Sequence, residues 1–433
     1  MGMSNSLQFD PQWTTGERGM PEERATMADL CIRLGDHVVT RCEDHWARSI
    51  RDRVRVSCYP LATWIASSWW RLLAEADSTD PSPRADWGMA HHMAAAGGGY
   101  LWPRLQFRSD GAFVEVSARA SQPSPAEPMR FVGAVRESLE ASEVERGLAE
   151  FVSTVVARLQ AADIADSELQ QLWSDIEAER RDASMRKHRQ LEAMFGLDAD
   201  AMDDDLDAQV AKLRAELGEA ATLEIAAGGS AVAKRSDARA YLLDVFRTLD
   251  AGGIAASFDA RLTTNQRLAM AGQPWQLGTE LARRTRKNLK ADAGPLPTAA
   301  LQAWLGIGKV TKPGTAGSAL AMARRKDRST ILFCRKNHPQ ARRFELARFL
   351  ADHLITPPSE AGLVQSEATT VRQKIQRAFA AELLAPFSDV QAALAGDFTR
   401  LAIESVSAEF DVSTYVVTSQ LVNNQLIPAG SEF

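Results

Sequence analysis

Apolar positions recur at two spacings along the chain, and the spacing changes from region to region. Val54-Arg55-Val56-Ser57 alternates with a period of two, which predicts a strand. It runs into Pro60 to Leu73, where Leu61, Trp64, Ile65, Trp69, Leu72 and Leu73 share one helical face and Pro60 suits a first turn. Gly97-Gly98-Gly99 breaks the chain, and Leu105 to Val116 reads as a hairpin turning at Ser109-Asp110-Gly111. Seven of the ten tryptophans lie before residue 130, so a small Trp-rich α+β domain is expected over residues 1–130.

Ser121 to Pro128 holds three prolines and reads as a linker. Phe131 to Leu217 is rich in Ala, Glu, Leu and Arg, with Leu148, Phe151, Val152, Val155, Val156 and Leu159 on one stripe, so residues 131–225 are expected to be helical. A third region, 226–430, mixes periods. Pro274 to Arg286 predicts a basic helix, with five Lys or Arg residues by Lys290. Gly294-Pro295-Leu296-Pro297-Thr298 breaks it, and Ala299 to Leu305 predicts a short helix closed by Gly306. Ala319 to Ala323 and Thr330 to Cys334 predict two strands joined by Arg325-Lys326-Asp327-Arg328, and Phe344 to Ile355 predicts a further helix. The fold class expected is α+β and mostly helical, with a short β-hairpin or sheet in the C-terminal domain.

Composition narrows the function classes. At 433 residues, 45% hydrophobic and 24% charged, the chain has the make-up of an ordinary globular protein with more than one core. The net charge of −6 argues against general nucleic-acid affinity. Cys31, Cys42, Cys58 and Cys334 have no metal or disulfide spacing, so a reducing cytoplasm is expected. The most apolar run, Tyr59 to Ala74, is too short and polar to span a bilayer, so no membrane partner is expected. His91-His92 points its two rings about 100° apart on a helix, which favours a structural role. The six aspartates from Asp198 to Asp207 lack the glycine and glutamate of a calcium loop and read as capping or exposed residues.

The stretch Arg343-Phe344-Glu345-Leu346-Ala347, followed by His353-Leu354-Ile355, resembles the zinc helix of the ImmA/IrrE metallo-endopeptidases. Gln373 to Pro386 resembles that family's second helix, its Phe379-Ala380-Ala381-Glu382-Leu383-Leu384-Ala385-Pro386 half matching fully. The basic helix with its proline turn, and the ending around Val412-Ser413, are also similar, so the likeness spans residues 270–427. It implies a zincin-like C-terminal domain with a helix–turn–helix-like ending. A zincin needs two ligands at i and i+4 on one helix, a glutamate base beside the first, and a third ligand. Carried over, those positions are Arg348, Asp352, Phe349 and Gln373 in that order: a permanent cation, a lone carboxylate, a phenyl ring and an amide. The resemblance therefore implies a degenerate site without cofactor, in which Arg348 pairs with Asp352 at i,i+4 and Phe349 fills the vacated space. A shifted zinc site would have to draw on Asp352, His353 and Glu382.

By this likeness the chain is a non-catalytic pseudo-peptidase of a bacterial stress-response, mobile-element or phage-defence system. Its partner would be a helix–turn–helix regulator or a defence effector. Two alternatives stand beside it: an active zinc endopeptidase cleaving a repressor, and a DNA-binding regulator. The latter would use an Arg-rich face drawn from Arg283, Arg284, Arg286, Arg324, Arg325 and Lys326.

Overall fold

The computed structural model describes residues 6–77, 79, 85–122, 129–231, 238–262, 273–291, 293–308, 320–326 and 329–428. Most of the linker (123–128) and part of the predicted turn (327–328) lie outside these residues. The architecture is α+β, with several small antiparallel sheets. No helix among the described residues is long and apolar enough to cross a membrane. The chain divides into two compact units, Met1–Asp77 with Pro81–Met202, and Ser78–Asp80 with Asp203–Phe433.

In the first unit, β1 (Leu7–Trp13), α1 (Pro21–Ala25), β2 (Met27–Leu34), β3 (His37–Val38), β4 (Cys42–Asp44), β5 (Ser49–Arg51) and β6 (Val54–Ser57) come first. The β2 strand pairs with β1, β3 and β6. Ser57 caps α2 (Cys58–Ser67), its hydroxyl accepting from the Tyr59 N–H. The single helix expected over Pro60 to Leu73 is two helices, because Ser68 ends α2 and starts α3 (Trp69–Ala74). Then follow α4 (Ala85–His91), β7 (Arg104–Ser109) and β8 (Phe113–Arg119). The β7–β8 turn is held as the sequence suggests: Asp110 accepts the N–H groups of Ala112 and Phe113 at 3.0 and 2.7 Å.

The expectation of continuous helix from Phe131 is corrected. Met129–Phe131 (β9) pairs with β4, and Val135–Glu140 (β10) pairs with β8 before α5 (Ala141–Ala161) begins. A six-residue segment with an open neighbour in β8 satisfies its backbone in the sheet, overriding its helix formers. Next come α6 (Glu168–Arg181) and α7 (Ala183–Met194). Val144, Leu148, Phe151 and Val155 of α5, Trp173 of α6 and Ala193 of α7 join the core of the N-terminal sheets. The first unit runs on to Met202.

The second unit opens with α8 (Asp204–Leu217), capped by Asp203 as the acidic run implied, then α9 (Glu219–Ala231) and α10 (Ala238–Asp250). There follow β11 (Ile254–Ala256), α11 (Pro274–Asn288), α12 (Thr298–Leu305), β12 (Ala321–Lys326), β13 (Ser329–Phe333), α13 (Pro339–Ile355), β14 (Gly362–Gln365) and α14 (Val371–Leu384). The chain ends in α15 (Phe387–Leu394), α16 (Arg400–Glu409) and α17 (Thr414–Asn423). The four strands make one antiparallel sheet in the order β11-β13-β12-β14. Gly278 lets α11 lie directly on α14: a Cβ there would stand 2.4 Å from the Ile375 carbonyl. Behind β14, Gly362 does the same for α9, where a Cβ would meet that of Ala221 at 2.5 Å. These close approaches bring α9, α13 and α14 around one buried polar cluster.

Candidate functional site

Helices α13 and α14 carry Arg348 and Gln373 to each other, and the two side chains are hydrogen-bonded. Gln373 is fully buried, and its amide has all four bonds that it can make. Its Oε1 accepts from Arg348 and from the Ser366 N–H at 3.1 Å. Its Nε2 donates to Glu224 at 2.8 Å and to the Val364 carbonyl at 2.9 Å. Glu224 enters from α9 and also accepts the Thr370 hydroxyl at 2.8 Å. Burial pushes the Glu224 carboxyl above the ordinary carboxylate range.

The expected ion pair between Arg348 and Asp352 does not form. Asp352, fully buried, is gripped by Arg372: Nε donates to Oδ1 at 2.6 Å and Nη2 to Oδ2 at 2.9 Å. The Val364 N–H and the Thr356 hydroxyl complete the cage at 2.8 and 3.2 Å. Geometry decides the exchange. A guanidinium on the facing helix presents two parallel N–H groups to the carboxylate, whereas cation-first i,i+4 pairing along one helix is the weaker arrangement. Arg348 turns instead to Gln373 and to the Ser366 carbonyl, 3.2 Å away. Phe349 is fully buried in the core of the second unit, close-packed apolar bulk as its position suggested.

His353 stacks on Phe258 with ring centroids 3.9 Å apart, and its Nδ1 lies 3.2 Å from Arg325. Burial, reinforced by Arg325, lowers its pKa to about 4. Glu382 pairs with Arg283 at 2.8 Å. The shifted metal set of Asp352, His353 and Glu382 is therefore dispersed, and among the described residues no three His, Cys, Asp or Glu side chains gather to hold a metal. The donors at the zinc positions do not fit the ion: a guanidinium, a ring without lone pairs, a clamped carboxylate and a committed amide.

Nor do the six basic candidates share one open face. Arg286 is buried and donates to the carbonyls of Leu383 and Gly294, both at 2.6 Å. Arg325 ties down the end of α13 through the carbonyls of His353 and Pro357 at 3.1 and 2.8 Å. Arg284 pairs with Glu280 on its own helix, and Arg324 lies 4.0 Å from Glu216. Arg283 and Arg284 on α11 and Lys326 at a strand end are exposed. Sequence spacing counted these charges correctly, but two of them, Arg286 and Arg325, are spent on backbone carbonyls.

A cleft of about 760 Å³ opens beside the network, bordered by α11, α13, α14 and α17. Arg348 and Arg377 form its floor, Trp275, Phe344, Tyr415 and Val416 contribute apolar and aromatic walls, and Arg335, Lys336 and Lys374 add charge. Sequence reading singled out Arg348 alone among these cations. Glu224, Arg372 and Arg377 escaped it as well, although one signal was present: Glu224 is a lone acid within the small apolar run Leu223 to Ser230. An acid in such a run needs a buried partner. In the first unit, His91 proves structural: it is fully buried, stacks on Trp87 at 4.3 Å and lies 3.1 Å from Glu75. Despite burial, His91 and Arg71 hold Glu75 below its ordinary value.

Compared with protein-family models, curated proteins and solved structures, the chain matches none of them.

Proposed function

We propose that residues 226–430 form a zincin-like, ImmA/IrrE-type domain that has lost its metal chemistry. On this reading the chain works by binding a regulator or effector protein in a bacterial stress-response, mobile-element or phage-defence system. The observation that carries it is the direct contact of Arg348 with Gln373. The two positions that the motif assigns to a first and a third ligand meet across two facing helices beside a sheet and a cleft. The clamped Asp352 and the phenyl at Phe349 support a binding role over hydrolysis, because neither is free to take a proton from water.

The test incubates the full chain with zinc and with a purified helix–turn–helix repressor. Metal analysis is expected to give far less than one zinc per chain. Calorimetry is expected to detect a complex, and mass spectrometry to find the repressor intact. One tightly held zinc together with a cut repressor overturns the reading; neither binding nor cutting removes the assignment of partner.

A further inference from the structure

The charges on the cleft floor are unbalanced in a specific way. Arg348 is buried, its Nε has no acceptor among the described residues, and its bonded partners are an amide and a carbonyl. Arg377 donates at 2.9 Å to the same Ser366 carbonyl and at 2.8 Å to that of Ala368, again neutral acceptors. Two guanidinium groups thus converge on one oxygen. The carboxylate of Glu367, beside them in the cleft, is engaged by Arg335. Although burial alone would raise Glu367, Arg335 with Arg348 and Arg377 holds it down to about 2. Three guanidiniums against one ionised carboxylate leave an excess of two positive charges. Lys336, Lys374 and Glu345 also line the cleft, so five cations face two carboxyl groups and the lining stays positive even with both acids ionised. This lies on a chain whose net charge is −6.

Burial of like charges side by side is costly without a counter-ion. Burial and the neighbouring Arg377 depress the Arg348 pKa to about 9. A carboxylate would cancel one excess charge; a phosphate monoester, carrying about −1.5 to −2 at neutral pH, cancels both and offers three acceptor oxygens to forked guanidinium donors. The rest of the cleft is shaped for an organic body, with Trp275 and Tyr415 half-exposed or more at its edge and Phe344 and Val416 within.

We propose that this cleft is a binding site for a phosphate monoester, its oxygens held by Arg348 and Arg377 and its organic part lying against Trp275 and Tyr415. The proposal stands on the charge arrangement alone and does not need the family likeness. The phosphate can come from a free metabolite or from a phosphorylated side chain, and the assay separates the two sources.

Calorimetric titrations of the full chain at fixed ionic strength would use inorganic phosphate, adenosine 5′-monophosphate, and a capped Ala-phosphoserine-Ala peptide, with acetate as the single-charge control. Saturable one-to-one binding of at least one phosphate compound is expected, tenfold or more tighter than acetate. A nucleotide preference assigns a metabolite, and a peptide preference assigns a modified protein. Arg377→Gln should weaken binding at least tenfold and Lys374→Ala severalfold, while Arg284→Gln, outside the cleft, leaves it unchanged. Absence of saturation with all three compounds at millimolar concentration overturns the proposal. So does affinity that survives both Arg377→Gln and Lys374→Ala within twofold.

Discussion

Replacing Arg372 by Met removes the cation from Asp352 while keeping most of the side-chain volume. The carboxylate remains fully buried, with only the Val364 N–H and the Thr356 hydroxyl to solvate it. Two charge-assisted bonds, at 2.6 and 2.9 Å, disappear. Stranding one member of a buried ion pair costs roughly 3–5 kcal/mol. For a unit of this size each kcal/mol moves the melting midpoint by about 2–4 °C, so the second unit's transition should fall by about 6–20 °C in scanning calorimetry. The companion Asp352→Asn/Arg372→Met should recover much of that loss, because the amide oxygen can accept from the Val364 N–H while its NH2 donates to the Thr356 hydroxyl. Arg348→Met combined with Asp352→Asn should instead be additive within about 0.5 kcal/mol. A fall below about 2 °C in Arg372→Met, no recovery in the double variant, or strong coupling between Arg348 and Asp352 would each refute the clamp.

Other expectations test separate parts of the molecule. Gly278→Ala forces a methyl group to within 2.4 Å of the Ile375 carbonyl, so the α11–α14 contact must open; a loss above about 2 kcal/mol by urea titration is expected, well beyond an ordinary helical Gly-to-Ala change. His353 is held neutral, its pKa lowered to about 4, so the unfolded chain binds the proton first as pH falls. Its contribution to stability is complete above about pH 6.5 and fades toward pH 4, by up to about 3 kcal/mol; His353→Phe should flatten that part of a stability–pH curve. Cys58 and Cys334 are buried with thiols pushed up to about 12, so a disulfide reagent should label them at pH 8 only as fast as the protein opens.

What the sequence disclosed depended on the range of the interaction. Period-two and helical spacings located β6, the β7–β8 hairpin and α13, because those elements satisfy their backbones locally and bury one face. The β10 strand was hidden, since its pairing with β8 depends on a partner some twenty residues away rather than on its own residues. The site divided in the same manner. The positions of Arg348 and Gln373 were legible from a motif, yet the choice of Arg372 rather than Arg348 as partner of Asp352 depended on how α14 is rotated against α13. Glu224 reaches the cluster from a helix about 150 residues upstream of Gln373, and no local pattern announces such a meeting.

Gln373 bears on the routes by which this cluster can change. Both of its N–H groups are spent on acceptors, the Glu224 carboxylate and the Val364 carbonyl. A glutamate at 373 would set oxygen against oxygen on two sides at once, with burial disfavouring a second negative charge next to Glu224. An acid at that position therefore forfeits both bonds unless one of the two carboxyl groups takes up a proton. The identity of residue 373 is thus held in place by Glu224, on a helix about 150 residues upstream.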